Sequence, residues 1–187
     1  MLNRKERIDM KVKVVTNHND IKRVTHLILP GVGAFSSGIK SLNEKKLVEP
    51  IINHIRLDKP FLGICLGMQM MLERSYEFGI FDGLGIIKGN IIKLPNTSLS
   101  GIKHKIPHIG WNKLIHKTNN NFKTNKSVYF VHSFIAECKS NENVISFCRY
   151  NDILIPAIIK KNNSYGFQFH PEKSGQTGLS LLEEFAK

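Results

Sequence analysis

The segment FLGICLGMQM, residues 61–70, sets Cys65 between Gly63 and Gly67 where an apolar run gives way to helix-forming residues. Flanking glycines allow a tight strand-to-helix turn whose backbone most residues would find strained, so the middle side chain projects from the sheet edge. A following helix aims its N–H groups and positive dipole end at the sulfur, which favours thiolate. FQFHPEKS, residues 167–174, supplies a base: in an extended strand His170 and Glu172 project to the same side, with Pro171 stiffening the step between them. A carboxylate so placed holds an imidazole in one tautomer while its other nitrogen serves a nucleophile. LPGVGAF, residues 29–35, adds a glycine-rich turn whose N–H groups near Val32 and Gly33, with that of Leu66, suit a tetrahedral oxyanion. Each piece alone has an ordinary reading, as a packed cysteine, a surface ion pair and a turn. Together they describe nucleophilic acyl transfer.

Such a site needs a sheet edge to stand on. KVKVVT (11–16), HLILP (26–30) and FLGI (61–64) read as short apolar strands. Residues 37–57 read as a helix, with Ile39, Leu42, Leu47, Ile51 and Ile55 along one face, and MQMMLERS as another. This alternation implies a parallel sheet covered by helices. From about residue 84 the pattern turns to strands: GIIKGNIIKL, SVYFVHSFIA, NVISFCRY, DILIPAIIK and YGFQFH. Leu179, Leu182 and Phe185 recur at helical spacing near the end, and TNNNFKTNKS (118–127) reads as a mobile loop. The expected fold is an α/β domain, an open doubly wound, mostly parallel sheet with a strand-rich second half, spanning residues 1–187.

Composition narrows the function classes. No apolar run approaches the roughly 18 residues of a membrane span, and MLNRKERIDM has charges where a signal peptide needs its apolar stretch, so a soluble, cytoplasmic protein is expected. Cys65, Cys138 and Cys148 are then expected to be reduced, and without a C-x-x-C pair or histidines at ligand spacing they predict no metal. The net charge of +12 raises the question of nucleic acid. Lysines mixed thinly with asparagine, without a basic block or interleaved aromatics, favour a solvated basic surface or a face for an acidic protein.

GICLGMQ and HPEKSG, about a hundred residues apart and in this order, resemble the class I glutamine amidotransferases. KIPHIGWN (105–112), YFVHSF (129–134) and LPGVGAF narrow the resemblance to the glutaminase subunits of imidazole glycerol phosphate synthase, over about residue 11 to the end. The resemblance implies a flavodoxin-like fold and no cofactor. Cys65 would attack the glutamine side-chain amide, His170 relay the proton to departing ammonia, and Glu172 orient His170. Gln69, Glu77, Ser133 and Phe134 would hold glutamine, Glu77 by its amino group. A (β/α)8-barrel cyclase is the implied partner, receiving ammonia through a tunnel, with Trp111, Asn112 and Lys173 at the shared face. Trp111 reads equally as a core anchor, and His108 and His132 as structural histidines. Hydrolysis would be weak until the partner holds its ligand, with a peptide flip in PGVG as the expected gate.

Relatives open with a short apolar strand and a D-Y-G-x-G-N loop that nothing here matches. MLNRKERID resembles the tail of the helix that follows them. The expectation is a start upstream or a rearrangement of residues 1–10 over the gap, with partner docking most affected. Other readings remain open at this point: an ammonia-supplying subunit for sugar amidation in surface polysaccharide synthesis, a non-catalytic interaction subunit, and a cysteine peptidase.

Overall fold

The computed structural model describes residues 11–117 and 121–187. In chain order the elements are α1 (His18–Arg23), β1 (Leu27–Gly31), α2 (Phe35–Glu44), α3 (Val48–Arg56), β2 (Phe61–Cys65) and α4 (Leu66–Gln69). Strands β3 (Arg74–Ser75), β4 (Phe81–Asp82), β5 (Gly89–Lys93), β6 (His108–His116), β7 (Ser127–His132) and β8 (Phe134–Cys138) follow. The chain continues with β9 (Val144–Tyr150), β10 (Ile153–Lys161), β11 (Ser164–Phe167) and α5 (Gly175–Phe185).

The larger sheet has seven strands in the order β1-β2-β11-β10-β9-β6-β7, and a smaller one runs β4-β3-β5-β8. In the larger sheet parallel pairing is confined to β1, β2 and β11, and the strand-rich second half adds antiparallel strands. Every residue of β2 is buried, as a strand covered on both faces requires. Consecutive residues face opposite sides, so Phe61 joins a core with Ile21, Phe35, Leu42, Ile51 and Met68. Leu62 joins another with Phe130, Phe167, Phe169, Leu181 and Phe185. Helices α1 to α3 thus cover one face and α5 the other.

Several local expectations are corrected. Residues 37–57 form two helices, because α2 ends in a Schellman motif: Lys46 takes φ 55°, Lys46 N–H donates to Asn43 C=O, and Leu47 N–H to Leu42 C=O. Each helix then turns its own apolar face to the core. Only Met68 and Gln69 of MQMMLERS are helical, as the end of the single turn α4. Met70, Met71 and Leu72 are buried, and their carbonyls accept from the N–H groups of Leu84, Ile87 and Gly85, so tertiary pairing overrides helix propensity.

KVKVVT is not a strand. Val12 and Val14 are more than four-fifths exposed, and no described strand pairs with this segment or with the outer edge of β1. A strand without a ladder partner leaves its amides to water. The expectation for residues 1–10 lies outside the described residues. In TNNNFKTNKS, residues 118–120 also lie outside them, but Phe122 is buried, edge-on to Tyr165 and Phe167, which ties the segment to the core. Helix α1 lies where sequence reading expects none, although Asn17 caps it by accepting the Asp20 N–H at 3.1 Å. Among the described residues no helix is long and apolar enough to cross a membrane.

Candidate active site

Cys65 ends β2 and precedes α4 with φ 51° and ψ −106°, a conformation costly for a residue with a side chain. The surrounding glycines are sterically required. A Cβ on Gly63 would sit 2.6 Å from the Gly67 carbonyl, and one on Gly67 would sit 1.8 Å from the Leu29 carbonyl oxygen. Close passage of three backbone segments thus forces the sharp turn that presents the sulfur.

The sulfur itself departs from expectation. Burial pushes the Cys65 thiol up to about 11, and the Glu172 carboxylate adds to the rise, while the Leu66 N–H and Lys173 oppose it. Helix α4 is a single turn, too short for its dipole to overcome desolvation. The resting group is a thiol, with Val131 C=O at 4.0 Å and Gln168 Nε2 at 3.9 Å. It needs a base.

His170 is 2% exposed, and its Nδ1 donates to Glu172 Oε1 at 2.7 Å. Its Nε2 is buried without a hydrogen-bond partner. With the proton on Nδ1, Nε2 presents a lone pair. The strand expected to carry both residues ends earlier, at Phe167, and a 3-10 turn over Pro171–Lys173 makes the contact. That turn is fixed by His170 N–H donating to Tyr129 C=O and by the Ser174 hydroxyl donating to His170 C=O.

Cys65, Leu66, Val32, Gly33, Gln69, Glu77, His132, Ser133, Phe134 and His170 line one cavity of about 860 Å³. Gln69 Nε2 donates to Phe134 C=O at 3.2 Å and to Gln168 Oε1 at 3.3 Å. Glu77 Oε2 accepts the Phe35 N–H at 2.6 Å, capping α2 across the cavity rim. Gly33 takes φ 93°, open to glycine alone without strain.

Sequence reading missed Lys93, Tyr76, Phe78, Ile106, Pro107 and Val131 of the lining, and Gln168 beside the sulfur. Gln168 was detectable, as an amide in the run FQF, fully buried here. Lys93 gave no signal, since GNIIKL reads as any strand end.

Outside the cavity, Trp111 is 56% exposed and meets Tyr129 edge-on at 5.8 Å, which removes the core-anchor reading. Lys173 Nζ lies 5.9 Å from the Tyr129 ring centre, so Trp111, Tyr129 and Lys173 form one surface patch. Asn112 is engaged internally, with His108 and with the Arg149 carbonyl.

The family model of class-I glutamine amidotransferases matches residues 1–187. The chain is 46% identical over 186 residues to the imidazole glycerol phosphate synthase subunit HisH 1 of Legionella pneumophila strain Lens, covering 95% of this chain and 87% of that protein. It is 44% identical over 179 residues to subunit HisH of Caldanaerobacter subterraneus subsp. tengcongensis, covering 94% and 85%. A crystal structure of a glutamine amidotransferase superposes with a TM-score of 0.69 at 16% identity, covering 95% of this chain and 88% of the other. A glutamine amidotransferase from Thermotoga maritima gives 0.57 at 17%, covering 88% and 64%. These two share the fold. A cysteine on a strained turn, an imidazole held by a carboxylate and a family match over the whole chain lead to one assignment: the chain belongs to the class I glutamine amidotransferases.

Proposed function

We propose that the chain is the glutaminase subunit of an imidazole glycerol phosphate synthase in histidine biosynthesis. It hydrolyses glutamine and passes ammonia to a (β/α)8-barrel cyclase that forms imidazole glycerol phosphate and AICAR. The carrying observation is that His170, whose Nε2 is buried without a partner, lines the same cavity as Cys65.

Because the thiol is protonated at rest, proton transfer to His170 Nε2 accompanies attack of sulfur on the amide carbon. The oxyanion is met by N–H groups from the Val32–Gly33 turn and Leu66. Collapse expels ammonia, which takes its proton from His170, and leaves a γ-glutamyl thioester. A water activated by the same nitrogen then releases glutamate. Glu172 keeps the Nδ1–H pointed away from sulfur throughout. In the glutamine site, Glu77 supplies a carboxylate for the substrate amino group, and Gln69 with the Ser133–Phe134 backbone supplies polar contacts.

The partner reading is supported by exposed apolar side chains at the cavity rim and on the aromatic patch. Val32, Phe78 and Trp111 are 79%, 88% and 56% exposed, a pattern of surfaces that become covered. The names of the relatives favour the histidine pathway over sugar amidation. Glutamate release from glutamine, measured for the chain alone and with a histidine-pathway cyclase and its ribonucleotide ligand, tests the proposal. Strong stimulation that disappears in Cys65→Ala is expected. Unstimulated or absent turnover in a folded sample overturns it.

A further inference from the structure

At the cavity wall, which His132 helps to line, two buried imidazoles meet nitrogen to nitrogen. His108, fully buried at the start of β6, and His132, at the end of β7, are cross-strand partners. His108 Nδ1 lies 3.0 Å from His132 Nε2. The outer nitrogen of each ring also has a partner, and each partner accepts. His132 Nδ1 lies 3.0 Å from the Phe134 carbonyl oxygen. His108 Nε2 lies 2.8 Å from Asn112 Oδ1, and that amide cannot be reversed, because Asn112 Nδ2 donates to the Arg149 carbonyl at 2.9 Å. A row of three hydrogen bonds with an acceptor at each end needs three N–H protons, and two neutral imidazoles carry two.

We propose that the His108–His132 pair holds the third proton, and with it one positive charge, and that this charge positions the Ser133–Phe134 wall of the glutamine cavity. The inference rests on the glutaminase reading above. The Phe134 carbonyl accepts from both His132 Nδ1 and Gln69 Nε2. Without the third proton two lone pairs face each other at 3.0 Å, or a ring turns and releases either Phe134 or Asn112.

The charge belongs on His108. Burial and the neighbouring His108 pull the His132 imidazolium down to about 3, so that ring stays neutral and accepts at Nε2. Burial, the larger effect, holds His108 below the ordinary imidazole value against the pull of the Asn112 oxygen, and what places the proton there is the row of acceptors, which no neutral pair satisfies. The rings of Phe130, at 5.0 Å and 22°, and Tyr150, at 4.2 Å and 29°, stack on His108, and aromatic faces attract cations. The other titratable groups are His104, which repels charge on His108, and His170, which repels it on His132. The Tyr150 hydroxyl is turned to the Lys105 carbonyl, and Arg149 meets Asn112 through its carbonyl.

Nitrogen-15 NMR of the chain labelled in its imidazoles, assigned by single histidine substitutions, counts the protons directly. At about pH 7 the expected result is His108 with both nitrogens protonated and His132 with Nδ1 alone. Raising the pH should remove one proton in a single transition. Across it the KM for glutamine, measured with the partner, should rise about tenfold, the size of one charge-assisted hydrogen bond, with kcat little changed. His108→Gln should abolish the transition and show the high KM throughout, whereas a merely structural role would lower thermal stability and leave the KM profile intact. Two singly protonated rings at about pH 7 would overturn the proposal, as would an unaltered KM transition in His108→Gln. Should that variant fail to fold, the proton count and the unsubstituted profile still decide. The proton count needs no turnover, so its failure is distinct from failure of the glutaminase reading.

Discussion

At the scale of single residues, the account turns on a thiol that burial keeps protonated and a base whose free nitrogen awaits it. That pairing sets two expectations. Glu172→Gln should lower kcat for glutamine by about 10²-fold or more, since the amide no longer fixes the Nδ1–H tautomer. KM should change little, because Glu172 does not line the cavity. Steady-state kinetics with the partner present reads both, and an unchanged kcat would remove Glu172 from the mechanism. In His170→Asn, alkylation of Cys65 by iodoacetamide should keep accelerating with pH toward the thiol value of about 11. A rate that levels off near neutral pH would restore the dipole-stabilised thiolate. The three proposed catalytic residues were legible because their signals are local: two glycines whose Cβ atoms would strike backbone, and a carboxylate two residues from an imidazole. The state of the thiol was not, because desolvation depends on β7 and on the 3-10 turn, distant in sequence.

At the scale of elements, the turn that carries Glu172 depends on α5. A Cβ on Gly178 would lie 1.8 Å from the Pro171 carbonyl oxygen, so Gly178→Ala must push the helix away from that turn. Thermal unfolding and kcat should both fall in that variant, and unaltered values for either would show that α5 does not hold the turn. KVKVVT gives the opposite expectation. With Val12 and Val14 exposed, the double substitution Val12→Lys, Val14→Lys should change stability by no more than about 0.5 kcal/mol, as for surface sites elsewhere. A loss of several kcal/mol in denaturant unfolding would place the segment in a buried strand. Its sequence reads as a strand because period and composition report preference, whereas a strand also needs a neighbour. The same reasoning explains MQMMLERS, where preference favoured a helix and the 84–87 segment took the carbonyls.

At the scale of the molecule, the parallel strands β1, β2 and β11 bring the cysteine turn to the sheet edge, and the antiparallel strands bring β7 and β8 against it. The α/β class, the strand-rich second half and most strand positions were legible, since they follow from short apolar runs between polar turns. Membership of the cavity was legible only in part, because Lys93 and Pro107 reach it through long-range packing, as Gln168 reaches the sulfur from behind. Large aromatic side chains fill the core that Cys65 borders. Phe130, Phe167 and Phe169 are fully buried, with Phe167 and Phe169 stacked at 4.8 Å. Phe130→Ala should cost about 3–5 kcal/mol in denaturant unfolding, much of a typical stability of about 5–15 kcal/mol, and a cost under about 1 kcal/mol would show that this core repacks freely.

Attack of Cys65 on the side-chain amide of glutamine is the proposed step on which the rest depends. The most direct measurement is the intact mass of the chain, with its partner, after exposure to a glutamine analogue bearing an electrophilic carbon in place of that amide. The account predicts one adduct per chain, mapped by peptide fragmentation to Cys65, slowed by excess glutamine and absent from Cys65→Ala. Labelling shared with Cys138 or Cys148, or unaffected by glutamine, would contradict it.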